Sequence, residues 1–595
     1  MGFHGGASSL LNHGCAAIIF YVETQMQAVG RKVFYGRVFS RIGVGFLLAT
    51  LALLNAHIKT MDPKQPTANA VAVFKNKILK VGTNQQIQAY IGSGTLVLDL
   101  KNKTVVPGLI DTHIHVTDYG RCLMWLDLSS VRTLDELKGQ IQKKAQITKP
   151  GRWIVGQGWN ETRFREQRMP NIAELDAAAP NHPVILYREA AMICAVNSLA
   201  LKIAGVTPQM SAPMGGNIDR DPKTGELRGI FRDTATTLIW QAVPEPEETE
   251  LLEATAYAAQ KVTDAGITSV AWLVNSAAEL AIIKTLYLQG RLPFRVNVVV
   301  SEALLKNVGA FPSDDFLRVG GVFIVVDGYL DSKEAALSKP YNDEPKNLGK
   351  LFLTPTQLNG AIAHAGALGI QPVIHAMGDR ALEATLTAIE QAPKQIRFRI
   401  EQAAVLDKPL IARLKKQNVI ISIQPRVIAT EFEVWSAKQR LGNRAQLLHP
   451  LKTLVDLGVV VTAGSDCPME PLSVLLGIQE LVLRRNYPKQ RLGVNEALQL
   501  YTLNAAYCLG EETKKGSIEE GKLADFTILS KDLEAVEPAS IKDVAVEGIV
   551  VDGKVLTDIR QFKTRPTQNT PTNQKNTKNK PQKQNKPNPN NTNQT

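Results

Sequence analysis

Eight short runs of β-forming residues recur along the middle of this chain, most of them separated by enough sequence for a helix. They are VVPGLIDTHIHV (105–116), GITSVAWLV (266–274), FRVNVVVS (294–301), GVFIVVDG (321–328), QPVIHAMGD (371–379), FRIEQAA (398–404), VIISIQPR (419–426) and VVVTAGSD (459–466). Segments between them, such as LNGAIAHAGALG (358–369) and PLIARLKKQN (409–418), read as helices. Alternation of this kind, repeated eight times, predicts an α/β fold built on a parallel (β/α)8 barrel. Such barrels carry their chemistry at the C-terminal ends of the strands. His113, His115, Asp327, His375, Gln402, Gln424 and Asp466 all fall there.

With 595 residues and 44% hydrophobic content, the chain can bury a large core and exceeds one small domain. The formal charge of +12 is concentrated at the ends: residues 563–595 carry +7, residues 1–46 carry +3, and the body carries only +2. The body therefore offers no electrostatic case for nucleic-acid binding. Five scattered cysteines form no CxxC pair and imply no disulfide framework, so a reducing, cytoplasmic location is expected. The tail at 563–595 has no aliphatic or aromatic residue and reads as a disordered basic segment. Residues 1–46 form an unassigned N-terminal extension. The apolar runs at 16–22 and 44–54 are too short to span a bilayer, and no stable membrane insertion is expected. VAVFKNKILKVG reads as a hairpin turning at Lys75–Asn76–Lys77.

His113 and His115 lie at i and i+2, which on a strand places both imidazoles on one side. His-x-His alone is equally well explained as two polar residues leaving a strand. His375 by itself could be a satisfied core histidine, and Asp466 could cap the helix beginning near Pro468. The four together, at the ends of the first, fifth and eighth runs, form a credible site for one divalent metal ion. Zinc is expected, with manganese or iron as alternatives. Asp466 would be both ligand and proton acceptor.

Other residues carry two readings. Asp327 is either an acid of the site or part of a rim turn, and Trp159 either lines the substrate pocket or anchors its own segment. Lys333 reads as a surface residue and Cys467 as a small buried filler. His364 and His449 stay off the metal list. Glu401, next to Gln402 on one strand, is expected to point the other way.

The chain resembles the amidohydrolase superfamily, in particular the amidohydrolase 3 branch with its N-substituted formamide deformylase-like enzymes. The resemblance rests on ALLNAHIKTMDPKQPTANAVAV, VVPGLIDTHIHV, GQGWNETRF, PNIAELDAAAPNHPVIL, NSLAL, GGNIDRDPKTGELRG, IHAMGDRAL, RIEQA, GSDCPMEPL and GSIEEGKLADFTIL, spanning about residues 50–556. It implies a metal-dependent-hydrolase, TIM-like barrel with a small β-sandwich composed of both chain ends. The sandwich would take residues 47–104 and 516–562, and the barrel 105–515 with an insertion at about 120–260. It also implies hydrolysis of a non-peptide, amide-like carbon–nitrogen bond in a small-molecule substrate, and is compatible with a homodimer.

Three positions depart from the branch. Phe323 stands where a metal-bridging Lys is common, Gln402 where RIEHA has its histidine, and Met192 five residues before Asn197 where another histidine is usual. These changes argue against a two-metal site. His113, His115, His375 and Asp466 match the set of single-metal members, with Trp159, Asp327 and Gln402 as candidate substrate contacts. The competing expectation is a catalytically impaired barrel that binds a small molecule or serves as a scaffold.

Overall fold

The aliphatic runs each become one barrel strand because β-branched side chains suit a sheet buried on both faces. A computed structural model describes residues 47–188, 193–213, 216–309, 311–433, 437–558 and 562. The strands are β1 (Leu109–Ile114), β2 (Ile267–Val274), β3 (Arg295–Ser301) and β4 (Leu317–Val325), followed by β5 (Gln371–Ala376), β6 (Arg399–Gln402), β7 (Ile420–Ile423) and β8 (Val461–Ala463). They are hydrogen-bonded in chain order and all parallel. The ring is brought round by the Asp466 N–H donating to the His113 carbonyl at 2.8 Å and the His115 N–H donating to the Cys467 carbonyl at 2.9 Å. Gly464 makes this approach sterically feasible, since a Cβ there would lie 2.4 Å from the His113 nitrogen.

Alternate residues face inward. Ile110, Ala271, Leu273, Val299 and Val373, with half-buried Phe323, fill the inside of the barrel. Val270, Trp272, Val298, Ile374 and Ile400 face the surrounding helices. One of these, Glu248–Asp264, opens with a capping box from Glu247 and Glu250 and buries Leu251, Ala258, Ala259 and Val262.

The run at 105–116, expected as one strand, is two. Thr104–Pro107 belongs to a second sheet, and only Leu109–Ile114 enters the barrel. Gly108 lets the chain pass between them, because a Cβ there would collide with Thr268 at 2.1 Å. The second sheet runs Lys554–Val555, Val546–Val551, Phe526–Leu529, Thr104–Pro107, His57–Lys59, Thr67–Ala68, so both halves of the sequence contribute to it. A four-stranded sheet orders Lys77–Gly82, Ala70–Phe74, Leu51–Leu54 and Leu96–Asp99. Its hairpin turns at Lys75–Asn76, with Phe74 opposite Lys77 and Lys75 at φ 54°. The last residues of the apolar run, Leu51–Leu54, thus form a strand in this sheet. A six-stranded sheet formed between residues 126 and 233 carries its own core, including Trp159, Phe164, Leu175 and Leu186. The expectations for residues 1–46 and for the tail from 563 lie outside the described residues. Among the described residues no helix is long and apolar enough to cross a membrane.

Candidate functional site

The mouth of the barrel gathers three of the four predicted ligands. His113 is on β1, His115 is the residue just past it and starts the helix Val116–Met124, and Asp466 follows β8. His113 Nε2 lies 3.5 Å and His115 Nε2 3.7 Å from Asp466 Oδ1. The three donor atoms fall within 4.8 Å of one another, the spacing a single ion can bridge. Asp466 holds this position with a left-handed φ of 60°, a strained conformation for a residue with a side chain.

His375 stands outside that tight cluster. The ring of Phe323 lies close to both histidines, its centroid 6.1 Å from that of His113 and 6.4 Å from that of His375. His375 nevertheless carries the mark of a ligand. Its Nδ1–H donates to the Asp327 carbonyl at 3.0 Å, which leaves Nε2 as a buried lone pair without a hydrogen-bond partner.

The electrostatics suit cation binding. Burial lowers His115 to about 3 and His375 to about 4, so both imidazoles are neutral lone-pair donors at neutral pH. Burial raises the Asp466 carboxyl to about 6, against the pull of His113. For His113, burial pushes down but the Glu401 carboxylate outweighs it, and the net shift is upward.

Glu401 is the residue that sequence reasoning misplaced. It is fully buried inside the barrel, not turned away from it. Glu401 Oε2 accepts from His113 Nδ1–H at 2.9 Å and from Gln424 Nε2–H at 2.8 Å, while Oε1 accepts from Arg399 Nε–H. Burial alone would raise this carboxyl, but Arg399 and His113 bring it down to about 2. It is a permanent anion that fixes which nitrogen of His113 bears the proton. Arg399 and Glu401 share the inner face of β6. Left-handed backbone at Gln402 (φ 69°) and Ala403 (φ 44°) then breaks the alternation that should have turned Gln402 outward. The available signal was the pair of charges at i and i+2 in a strand otherwise apolar.

Gln402 is buried, with an Oε1 that has no hydrogen-bond partner among the described residues. Two other expected contacts are corrected. Trp159 is wholly buried in the insertion, stacked against Phe164, with its indole N–H donating to Leu186 O at 3.0 Å, so it anchors that core. Asp327 is also wholly buried, and both its oxygens accept backbone N–H groups, from Ala336, Met377 and Gly378. It pins the rim loops and, through its carbonyl, His375. Lys333 pairs with Asp343 and Glu344 at the surface, and Cys467 is buried. Met192 lies outside the described residues.

The sequence profile of the amidohydrolase family matches residues 96–557. The chain belongs to the amidohydrolase family. It is 30% identical over 518 residues to YtcJ of Bacillus subtilis, a protein named as an amidohydrolase, covering 84% of this chain and 98% of the relative. It is 27% identical over 530 residues to the N-substituted formamide deformylase of Arthrobacter pascens, covering 84% and 97%. Among solved structures, an uncharacterized metal-dependent hydrolase from Pyrococcus furiosus superposes with a TM-score of 0.69 at 29% identity, covering 81% of this chain and 99% of that one. As an amidohydrolase, the chain has a donor set that fits a divalent metal: three imidazoles, two of them with a tautomer set by a hydrogen bond at Nδ1, one carboxylate, and in His375 a buried Nε2 without a hydrogen-bond partner among the described residues.

Proposed function

We propose that this amidohydrolase is a hydrolase of a non-peptide, amide-like carbon–nitrogen bond that uses one divalent metal ion, zinc before manganese or iron. The observation that carries the reading is the convergence of His113, His115 and Asp466 at the barrel mouth. His375 completes the donor set from β5. A divalent ion held there would act as a Lewis acid and bring the pKa of water towards neutrality. Asp466 turns Oδ1 to the two histidines, which leaves Oδ2 to take a proton from the attacking water and hand it to the departing nitrogen. Glu401 holds His113 in the tautomer with a bare Nε2, and the Asp327 carbonyl does the same for His375. Gln402 Oε1 is an acceptor for a substrate N–H. The carbon–nitrogen assignment draws on the deformylase relative.

A small-molecule substrate, no nucleic-acid partner and a cytoplasmic site complete the reading; Cys122, Cys194, Cys467 and Cys508 are all free thiols. A second reading, a binding or scaffold barrel that has lost its chemistry, is favoured by one observation, the Phe323 ring beside His113 and His375. Metal content per chain after reconstitution decides between them, with a His113→Ala/His115→Ala control. About one equivalent, lost in the control and accompanied by amine release from an amide and formamide panel, is expected. No metal in either protein would leave only the scaffold.

A further inference from the structure

The polar groups of the site are confined to part of the ring. Asp466, His113, His115, Gln402 and Gln424 come from β1 and from the ends of β6, β7 and β8, with His375 joining them from β5. The β4 side is different in kind. Phe323 and Val325 are two residues apart on β4 and therefore share its inner face. Phe323 is half-buried between the two histidine rings, and Val325 pairs with His375 in the sheet yet stays 38% exposed. Just beyond β4, the Tyr329 ring stands 5.1 Å from the His375 ring and is 42% exposed. Phe352 closes the rim at 40% exposure. Its N–H donates to the Val326 carbonyl at 2.8 Å, and a Cβ on Gly328 would sit 3.2 Å from its Cζ.

These four side chains follow one another along β4 and just beyond it, as an apolar wall that runs from Phe323 beside the histidines to Phe352 at the rim. Apolar side chains left open beside convergent polar groups are what a binding pocket presents. We propose that this wall is a substituent subsite: with the scissile amide over Asp466 and the histidines, it takes an apolar, ring-sized group carried by the substrate. Phe323, Val325, Tyr329 and Phe352 determine specificity, and the Phe at position 323 supplies the floor. The inference rests on the hydrolase reading above, and its test separates the two.

The full chain is loaded with Co2+ and titrated with acetohydroxamate and with benzohydroxamate, following the visible absorption of the ion. Both share the metal-seeking head, and only the second has a ring. Benzohydroxamate is expected to bind at least about tenfold tighter, as burying a ring on an apolar wall requires. Tyr329→Ala, and separately Phe352→Ala at the exposed rim, should bring the two ligands to within about threefold of each other, chiefly by weakening benzohydroxamate. Equal affinities in wild type would overturn the subsite and leave the hydrolase reading standing. No spectral response to either ligand in the cobalt-loaded chain would overturn both.

Discussion

At the scale of single residues, the proposed chemistry depends on which nitrogen of each histidine is bare. Glu401 settles this for His113, and it is itself held by Arg399 and Gln424 in a fully buried network. Outer partners of this kind typically account for 10–100-fold in metal affinity. Glu401→Gln is therefore expected to weaken metal binding by about 10–100-fold in a chelator competition, at temperatures where the variant remains folded. Equal affinities would show that His113 needs no anionic partner. The convergence of His113, His115 and Asp466 was legible because imidazoles and a carboxylate recur at strand ends that a parallel barrel brings to one rim. Glu401 and Arg399 were not, because alternation says only that neighbours face opposite ways. Which face is the inside depends on how the sheet closes. Trp159 and Asp327 fail for a related reason: indole and carboxylate serve a pocket or a core equally well, and neighbours from distant sequence decide.

At the scale of elements, two glycines and one asparagine show how close packing positions the site. Gly464 allows β8 to lie against β1, and Gly108 allows the chain to change sheets. Gly464→Ala should force the His113 and Asp466 backbones apart, costing about 1–3 kcal/mol of stability and lowering metal affinity together. A variant that melts like wild type and binds metal normally would remove Gly464 from the closure. In the insertion, buried Asn197 caps the helix Ser198–Ile203. Its Oδ1 accepts from Ala200 N–H and Val184 N–H, and its Nδ2 donates to the His182 carbonyl. Asn197→Ala is expected to cost about 2–3 kcal/mol, read by chemical denaturation, with metal content unaffected. The eight strands themselves were readable from their apolar runs. The split of the first run was not, because Pro-Gly inside a continuous aliphatic stretch shows where a chain bends without showing which sheet each half joins.

At the scale of the whole molecule, buried ion pairs tie the barrel to the second sheet and brace the barrel itself. Arg295, at the start of β3, donates to Asp525 and Asp552 of the other sheet's strands and connections. Glu511 pairs with Lys515 and with Arg318 of β4, and Lys515 in turn donates to Ser269 of β2. Burial would raise the Glu511 carboxyl, but Lys515 and Arg318 outweigh it and hold it below its ordinary value. Since the folded pKa is depressed, the contribution is complete above the unfolded value of about 4.3 and is lost as pH falls through the folded one. Glu511→Gln should accordingly lower stability by about 3–5 kcal/mol near neutrality, with the gap to wild type narrowing below about pH 4. A gap of constant size across that range would contradict the assignment. Sequence alone determined the barrel and its family, because apolar periodicity and motif residues are local properties of the chain. Only the tertiary structure decided that Glu401 faces inward and that Phe323 stands beside two of the histidines. Those facts depend on strand closure and backbone strain, which bring together residues hundreds of positions apart.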